Sequence, residues 1–130
     1  MIIDTDVLIW FFRGDAQAKK ALNEIVPDKR FVSVVSYMEL LQGMRNKTEL
    51  VEFKKLFEAS EFIMLPLNPD TGNIACQYLE RFALQTGLRL GDALVAATAL
   101  SYGETIFTGN FKHFKALGIS LKQFARLEQT

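Results

Sequence analysis

The stretch Met1-Ile2-Ile3-Asp4-Thr5-Asp6-Val7-Leu8-Ile9-Trp10 places two carboxylates between two apolar runs. A short apolar run bounded by polar residues is typical of a strand buried on both faces, so residues 1–3 predict the first strand of a parallel sheet. Asp4 then ends that strand, and Asp6 caps a helix over residues 7–12. Ligands bind at this edge of such sheets. Two acids there repel each other, and a divalent cation is the usual offset.

The length and composition indicate one globular domain spanning residues 1–130. The apolar fraction is 49%, which argues against disorder. Fifteen basic and fifteen acidic side chains give a net charge of zero, which disfavours a broad, non-specific nucleic-acid coat. The single cysteine, Cys76, excludes an internal disulfide and suits a reducing cytoplasm. The sequence predicts neither a signal peptide nor a membrane span, so we expect a cytoplasmic protein.

Strand and helix patterns alternate along the chain. This alternation predicts an α/β fold in three layers, with a parallel sheet of about four to five strands and helices on both faces. The predicted strands after the first are residues 31–35, 62–65, 105–108 and 119–121. The predicted helices are residues 7–12, 16–26, 46–60, 69–86, 93–102 and 111–117, with Asp15 and Asp70 as caps of the second and fourth.

Two more acids belong to the predicted carboxyl edge of the sheet. A further helix is predicted after the second strand, and Glu39 lies in its first turn. There Glu39 either forms a capping box with Ser36 or faces the same edge as Asp4. Asp92 opens the helix over residues 93–102, where the helix dipole favours its ionised form. The rings of residues 10–12 are too many for one short helix to bury, so part of this helix is expected to line an exposed apolar groove.

Asp4, Glu39 and Asp92 therefore predict one shared site. Oxygen ligands suit Mg²⁺ or Mn²⁺, whereas zinc would require histidine or cysteine, and the chain has only His113 and Cys76. A divalent ion held by carboxylates and water is an arrangement for phosphoryl transfer. The sequence has no phosphate-binding glycine loop and no nucleophile-elbow pattern that would support another hydrolytic chemistry.

Four short motifs follow one another along nearly the whole chain: Asp4-Thr5-Asp6, Tyr37-Met38-Glu39-Leu40, Gly91 to Ala97, and Thr108-Gly109-Asn110 followed by Phe114. Together and in this order they resemble the PIN domain of VapC-type toxins, the ribonuclease half of type II toxin–antitoxin pairs. The resemblance implies a Mg²⁺- or Mn²⁺-dependent endoribonuclease, frequent homodimers, and inhibition by an antitoxin protein whose tail lies on the toxin.

The resemblance also assigns roles by position. Asp4, Glu39 and Asp92 match the family's catalytic, metal-binding acids, and Asp6 and Thr108 support them. Asn110 stands where the family often has a further acid, so one firmly held metal and a weaker second site are expected. Candidates for contact with an RNA substrate lie in the surrounding loops and helix ends: Arg45, Arg89, Lys112 and His113.

Other functions fit parts of the sequence. Asp4-Thr5-Asp6 also matches the nucleophile and acid of haloacid-dehalogenase-like phosphatases, but Gly91-Asp92 is a poor substitute for their late acidic pair. A phosphate-accepting receiver domain would need an acid after the strand at residues 62–65, where Pro66 stands. A PIN-like module that binds RNA or a partner without turnover is the non-enzymatic alternative, because Asn110 carries no charge.

Overall fold

The computed structural model describes residues 1–126 and forms a five-stranded sheet with helices on both faces. Its elements in chain order are β1 (Ile2–Ile3), α1 (Thr5–Phe12), α2 (Ala16–Asn23), β2 (Phe31–Ser33), α3 (Val34–Gln42), α4 (Lys47–Ala59), β3 (Ile63–Leu65), α5 (Pro69–Thr86), α6 (Leu90–Tyr102), β4 (Ile106–Thr108), α7 (Phe111–Lys115) and β5 (Leu121–Gln123). A single 3₁₀ turn, Pro27–Lys29, precedes β2.

The strand order is β3-β2-β1-β4-β5, and every pairing is parallel. The predicted fold class is therefore confirmed. The chain builds outward from β1 through β2 to β3, then crosses to the other side of β1 to add β4 and β5. The strand order thus reverses beside β1, and this switch point is where ligands bind in open parallel sheets.

Both faces of β1 are buried, as its unbroken apolar sequence predicts. Ile3 packs with Val7 and Leu22 in the core beneath α1 and α2. Ile2 packs on the opposite face with Val95 and Ala96 of α6. Because successive strand residues point to opposite faces, two residues are enough to fix β1 between two helical layers. The small side chains of α6 allow that helix to approach the sheet closely.

An aromatic cluster joins α1 to α4. The ring of Phe12 lies 5.1 Å from that of Phe53 and 6.1 Å from that of Phe62. Phe57 contacts Tyr37 with a ring separation of 4.8 Å. Such edge and tilted contacts stabilise the helices against one another beyond simple burial.

The C-terminal part of the described chain packs on α1 and the sheet. The Phe124 ring lies 5.7 Å from that of Phe107. The Arg126 guanidinium lies 3.8 Å from the ring centroid of Trp10 and donates to Asp15 Oδ1 from Nη2 at 3.0 Å. Phe124 therefore docks on the domain, as expected, while the similar expectation for Leu127 lies outside the described residues.

Several predicted boundaries were wrong. The last strand is Leu121–Gln123 rather than residues 119–121, because its backbone pairs in register with β4. The strand predicted at residues 31–35 ends at Ser33, where α3 begins. Asn68, not Asp70, caps α5, since its side chain accepts from the backbone of Thr71 and makes a full capping box. The second helix ends at Asn23 and α7 at Lys115, both earlier than predicted.

No helix within residues 1–126 is long and apolar enough to cross a membrane.

Candidate active site

Asp4 lies at the carboxyl end of β1 and is almost fully buried. Its Oδ1 accepts from the backbone N–H of Thr5 at 2.9 Å, and its Oδ2 accepts from Thr108 Oγ1 at 2.7 Å. Asp4 is thus the N-cap of α1, and the prediction that Asp6 caps this helix was wrong. The cap falls on Asp4 because its backbone is extended while Thr5 already begins the helix. The carboxylate is therefore fixed across the switch point between β1 and β4.

The surroundings of Asp4 disfavour its charge. Burial and the nearby charges of Asp6 and Asp92 raise the pKa of Asp4 to about 7, although the hydrogen bonds from Thr108 and Thr5 favour the ionised form. A carboxyl group that is half protonated near neutral pH is unusual for aspartate. A cation bound at this site would favour the ionised form of Asp4.

Asp6 lies in the first turn of α1 beside Asp4. Its Oδ1 accepts from the backbone N–H of Val7 at 2.8 Å. Burial raises the pKa of Asp6, while the hydrogen bond from Val7 opposes that shift. A β-carbon added to Gly109 would lie 2.5 Å from Asp6 Oδ2, so the turn after β4 packs directly against this carboxylate. Asp6 therefore belongs to the same acidic cluster as Asp4.

Glu39 lies on the second turn of α3, not in a capping box with Ser36. Ser33 caps α3 instead, because its backbone is extended and its side chain accepts from the backbone of Val35. Glu39 Oε1 accepts from Thr5 Oγ1 at 2.9 Å, and Ser36 Oγ lies the same distance from that hydroxyl. The carboxylate thus reaches the residue that follows Asp4 in the chain.

Asp92 is half-buried in the first turn of α6, as predicted. Its Oδ2 lies 3.5 Å from His113 Nδ1, on the first turn after β4. The charge of Asp92 contributes to the raised pKa of Asp4, which places the two acids close enough to interact. The Glu39 carboxylate lies against Gly91, the residue that precedes Asp92 in the chain.

The remaining predicted site residues are less closely grouped. Asn110 is exposed at the start of α7, and its backbone N–H donates to Thr108 Oγ1 at 2.9 Å. Arg89 immediately precedes α6, the helix that carries Asp92. Lys112 lies on α7, next to His113. Arg45 is highly exposed, and its Nε lies 3.2 Å from Glu49 Oε2.

The donor chemistry of this edge fits a hard divalent cation. Asp4, Asp6, Glu39, Asp92 and Thr108 offer only oxygen atoms, which Mg²⁺ and Mn²⁺ prefer. Within residues 1–126, no three acidic, histidine or cysteine side chains are gathered tightly enough to hold an ion without further movement. Magnesium commonly keeps several water ligands and needs only one or two direct carboxylates. The carboxylates at this edge of the sheet can supply those one or two direct ligands.

Sequence reasoning overlooked two contacts of Glu39. Thr5 appears in the first motif only as the residue between two acids, yet its hydroxyl holds the Glu39 carboxylate. Gly91 appears only as the residue before Asp92, yet the same carboxylate packs on it. A glycine inside a helix without a conformational need for it was the available signal.

The fold and the site together define a parallel α/β protein with an acidic cluster at its switch point. The family model described as the PIN domain matches residues 1–119, and the chain belongs to this family.

Individual relatives agree with this assignment. Ribonuclease VapC of Rickettsia bellii (strain RML369-C) is 28% identical, with 90% of each chain covered. A chain in a toxin–antitoxin complex from Klebsiella pneumoniae has a TM-score of 0.74 at 25% identity, covering 90% of this chain and 92% of that one. A chain of the promoter-bound VapBC2 structure from Rickettsia felis has a TM-score of 0.76 at 19% identity, covering 95% and 98% respectively, and shows the same fold.

Proposed function

We propose that this protein is a Mg²⁺- or Mn²⁺-dependent endoribonuclease and the toxin of a VapBC-type toxin–antitoxin pair. The observation that carries the proposal is the acidic switch point, where Asp4 is buried beside Asp6 and Asp92. Membership of the PIN domain family and similarity to a ribonuclease VapC support the same activity.

Asp4 and Asp92 would bind the metal directly, and Glu39 would bind it or orient one of its water ligands. When bound, the ion would activate a water molecule and reduce the charge of the scissile phosphodiester. Thr108 holds Asp4 through its hydroxyl, so the carboxylate is oriented before any ligand arrives. Asp6 adds negative charge beside Asp4 and strengthens the attraction for a cation.

Basic side chains near the acidic edge would contact RNA. Lys112 and His113 lie on α7, and Arg89 is the N-cap of α6, whose first turn contains Asp92. They would position phosphates on either side of the acids, which by themselves repel a polyanion. Arg45 is exposed farther along the chain, after α3, and would contact a more distant part of the strand.

The test is cleavage of defined RNAs by purified protein, with Mg²⁺, with Mn²⁺ and with excess chelator. We expect metal-dependent cleavage that Asp92→Asn strongly reduces and Glu104→Gln leaves unchanged. Glu104 is a suitable control because its carboxylate pairs with the amino terminus at the opposite end of β1. Binding of RNA without cleavage would indicate the module without turnover. Hydrolysis of small phosphate esters in place of RNA would indicate the phosphatase.

An antitoxin segment would occupy the groove between α1, α3 and α4. A groove of about 340 Å³ lies between these helices, Phe12 of α1 lines it, and none of the three rings of residues 10–12 is fully buried; these observations support the proposal. Its apolar lining includes Ile9, Phe12 and Leu56. Three glutamates and one arginine also border it, so acidic side chains predominate: Glu39, Glu49, Glu52 and Arg13. This combination fits an amphipathic segment with apolar anchors and basic side chains.

The groove proposal predicts that Leu56→Lys weakens the antitoxin complex, because the new charge would meet the partner's apolar and basic side chains. Leu56 is half exposed, so the substitution should leave the fold intact. Lysine at Leu84, a fully exposed position on α5, is the matched control. Equal affinities of the two variants for the antitoxin would contradict this placement.

The toxin alone is expected to form a homodimer in the cytoplasm, and light scattering measures its mass.

A further inference from the structure

The carboxylate of Glu39 is held between two helices other than its own. On one side, Oε1 accepts from Thr5 Oγ1 at 2.9 Å. On the other side, all three atoms of the carboxylate face Gly91: a β-carbon at that position would lie 3.0 Å from Oε2, 3.2 Å from Cδ and 3.3 Å from Oε1. The position of this carboxylate therefore depends on position 91 having no side chain.

The backbone of Gly91 does not require glycine. Gly91 lies within α6, and its φ is not positive, in contrast to Gly87 and Gly103 at the ends of α5 and α6. Alanine forms helices better than glycine, so local structure alone would favour alanine here. Gly72 in α5 is a useful comparison, because a β-carbon there would meet nothing within 4 Å.

We propose that Gly91 is a positioning residue that keeps the Glu39 carboxylate on Thr5 and against the residue before Asp92, where it can serve the metal or its water ligands. The inference rests on the proposed function, since it assigns Gly91 a part in that site. A methyl group at position 91 would push the carboxylate away, and Glu39 can yield because it is an exposed, flexible side chain. The substitution should thus disturb the site without disturbing the fold.

The experiment compares Gly91→Ala with Gly72→Ala in the full chain. Both variants gain helix propensity, so both should unfold at a temperature about 2 to 4 °C above the wild type. Only Gly91→Ala should lose function, because small misplacements of catalytic groups are costly. We expect about a three- to tenfold fall either in RNA cleavage at saturating Mn²⁺ or in Mn²⁺ affinity measured by calorimetry. A variant that is more stable but less functional cannot be explained by damage to the fold.

A second background isolates the contact with Glu39. In Glu39→Ala the carboxylate is gone, so adding Gly91→Ala should cause no further loss in either measurement. The proposal is overturned if Gly91→Ala matches Gly72→Ala in both cleavage and Mn²⁺ affinity, or if its effect persists in the Glu39→Ala background. If the wild type does not cleave RNA, the proposed function fails, and the Mn²⁺ affinities alone then decide the role of Gly91.

Discussion

Charged groups are paired at one end of β1, whereas acidic groups cluster at the other. At the amino end, the Met1 ammonium lies 2.7 Å from Glu104 Oε2 and also donates to the backbone oxygen of Lys29 at 3.0 Å. At the carboxyl end, Asp4 is buried beside Asp6 and Asp92. In the described part of the chain, no lysine or arginine lies within 4.0 Å of any of these three acids, and His113 is the one basic group that approaches them.

This difference separates a structural end of the sheet from the end where the active site is proposed. A paired charge at the amino end holds the first strand in place and leaves nothing for a ligand to neutralise. The carboxyl end keeps like charges together, which costs stability but favours any cation that enters. The same two-residue strand therefore has paired charges at one end and, at the other, clustered acids that favour binding of a cation.

The largest expected effect is that of Asp4→Asn. Removing this carboxylate should reduce RNA cleavage on the order of 10²–10³-fold, equivalent to about 3 to 4 kcal/mol of transition-state stabilisation. The same substitution should raise the free energy of unfolding at pH 8 without metal by about 2 to 4 kcal/mol, because it removes a buried charge. Cleavage assays and urea unfolding in chelator measure the two effects. A less stable variant would show that Asp4 is primarily structural.

The pH dependence of stability provides a further check on Asp4. Its pKa rises from 3.8 in the unfolded chain to about 7 in the fold, so the native state binds more protons between these values. The contribution of Asp4 to stability must therefore decrease as pH rises from about 4 to 7. Asp15 acts in the opposite direction and at lower pH: hydrogen bonds from Ala18 and Arg126 lower its pKa, so its contribution to stability is lost only as pH falls below about 3.8. Urea unfolding from pH 4 to 8 should show the Asp4 decrease in wild type and not in Asp4→Asn.

A smaller effect is expected from adding charge to the acidic end. Asn110→Asp supplies a carboxylate next to the buried Thr108, whose hydroxyl accepts from the backbone N–H of residue 110. We expect the metal concentration for half-maximal cleavage to fall about three- to tenfold, because a charged oxygen binds a divalent ion more strongly than a neutral one. Parallel metal titrations of wild type and variant measure this. Superimposable titration curves would mean that position 110 does not contribute to the metal site.

The smallest effect belongs to the amino end. Glu104→Gln removes a partly exposed ion pair and should lower the free energy of unfolding by about 0.5 to 1 kcal/mol. RNA cleavage should be unchanged, since this end of β1 has no part in the proposed site. Thermal unfolding and cleavage assays on the same preparation measure both. A loss of activity comparable to that of Asp4→Asn would end the distinction between the two ends.

The architecture was predictable because it depends on patterns that repeat along the chain. The apolar run before Asp4 and the alanine-rich α6 identify a sheet buried between helices, and parallel pairing then brings strand ends to one edge. The residues proposed for the site follow from the same reasoning, since Asp4 and Asp92 each adjoin an element that reaches this edge.

The helix caps were less predictable because several polar residues lie close together at each helix start. Asp4 caps α1 in place of Asp6, and Ser33 caps α3 in place of Ser36. The choice depends on which residue keeps an extended backbone, and the neighbouring strand decides that through its length. The last strand was misplaced for a related reason, because its register comes from pairing with β4 and not from its own sequence.

The contact between Arg126 and Trp10 has a practical consequence. Trp10 is the sole tryptophan of the chain, and the guanidinium of Arg126 lies directly over its ring. Indole fluorescence is sensitive to a cation held against the ring and to access of water. The emission of this protein therefore reports whether residues 124–126 are docked on α1, and it does so without a label. Stopped-flow fluorescence can follow that docking during refolding or partner binding in real time.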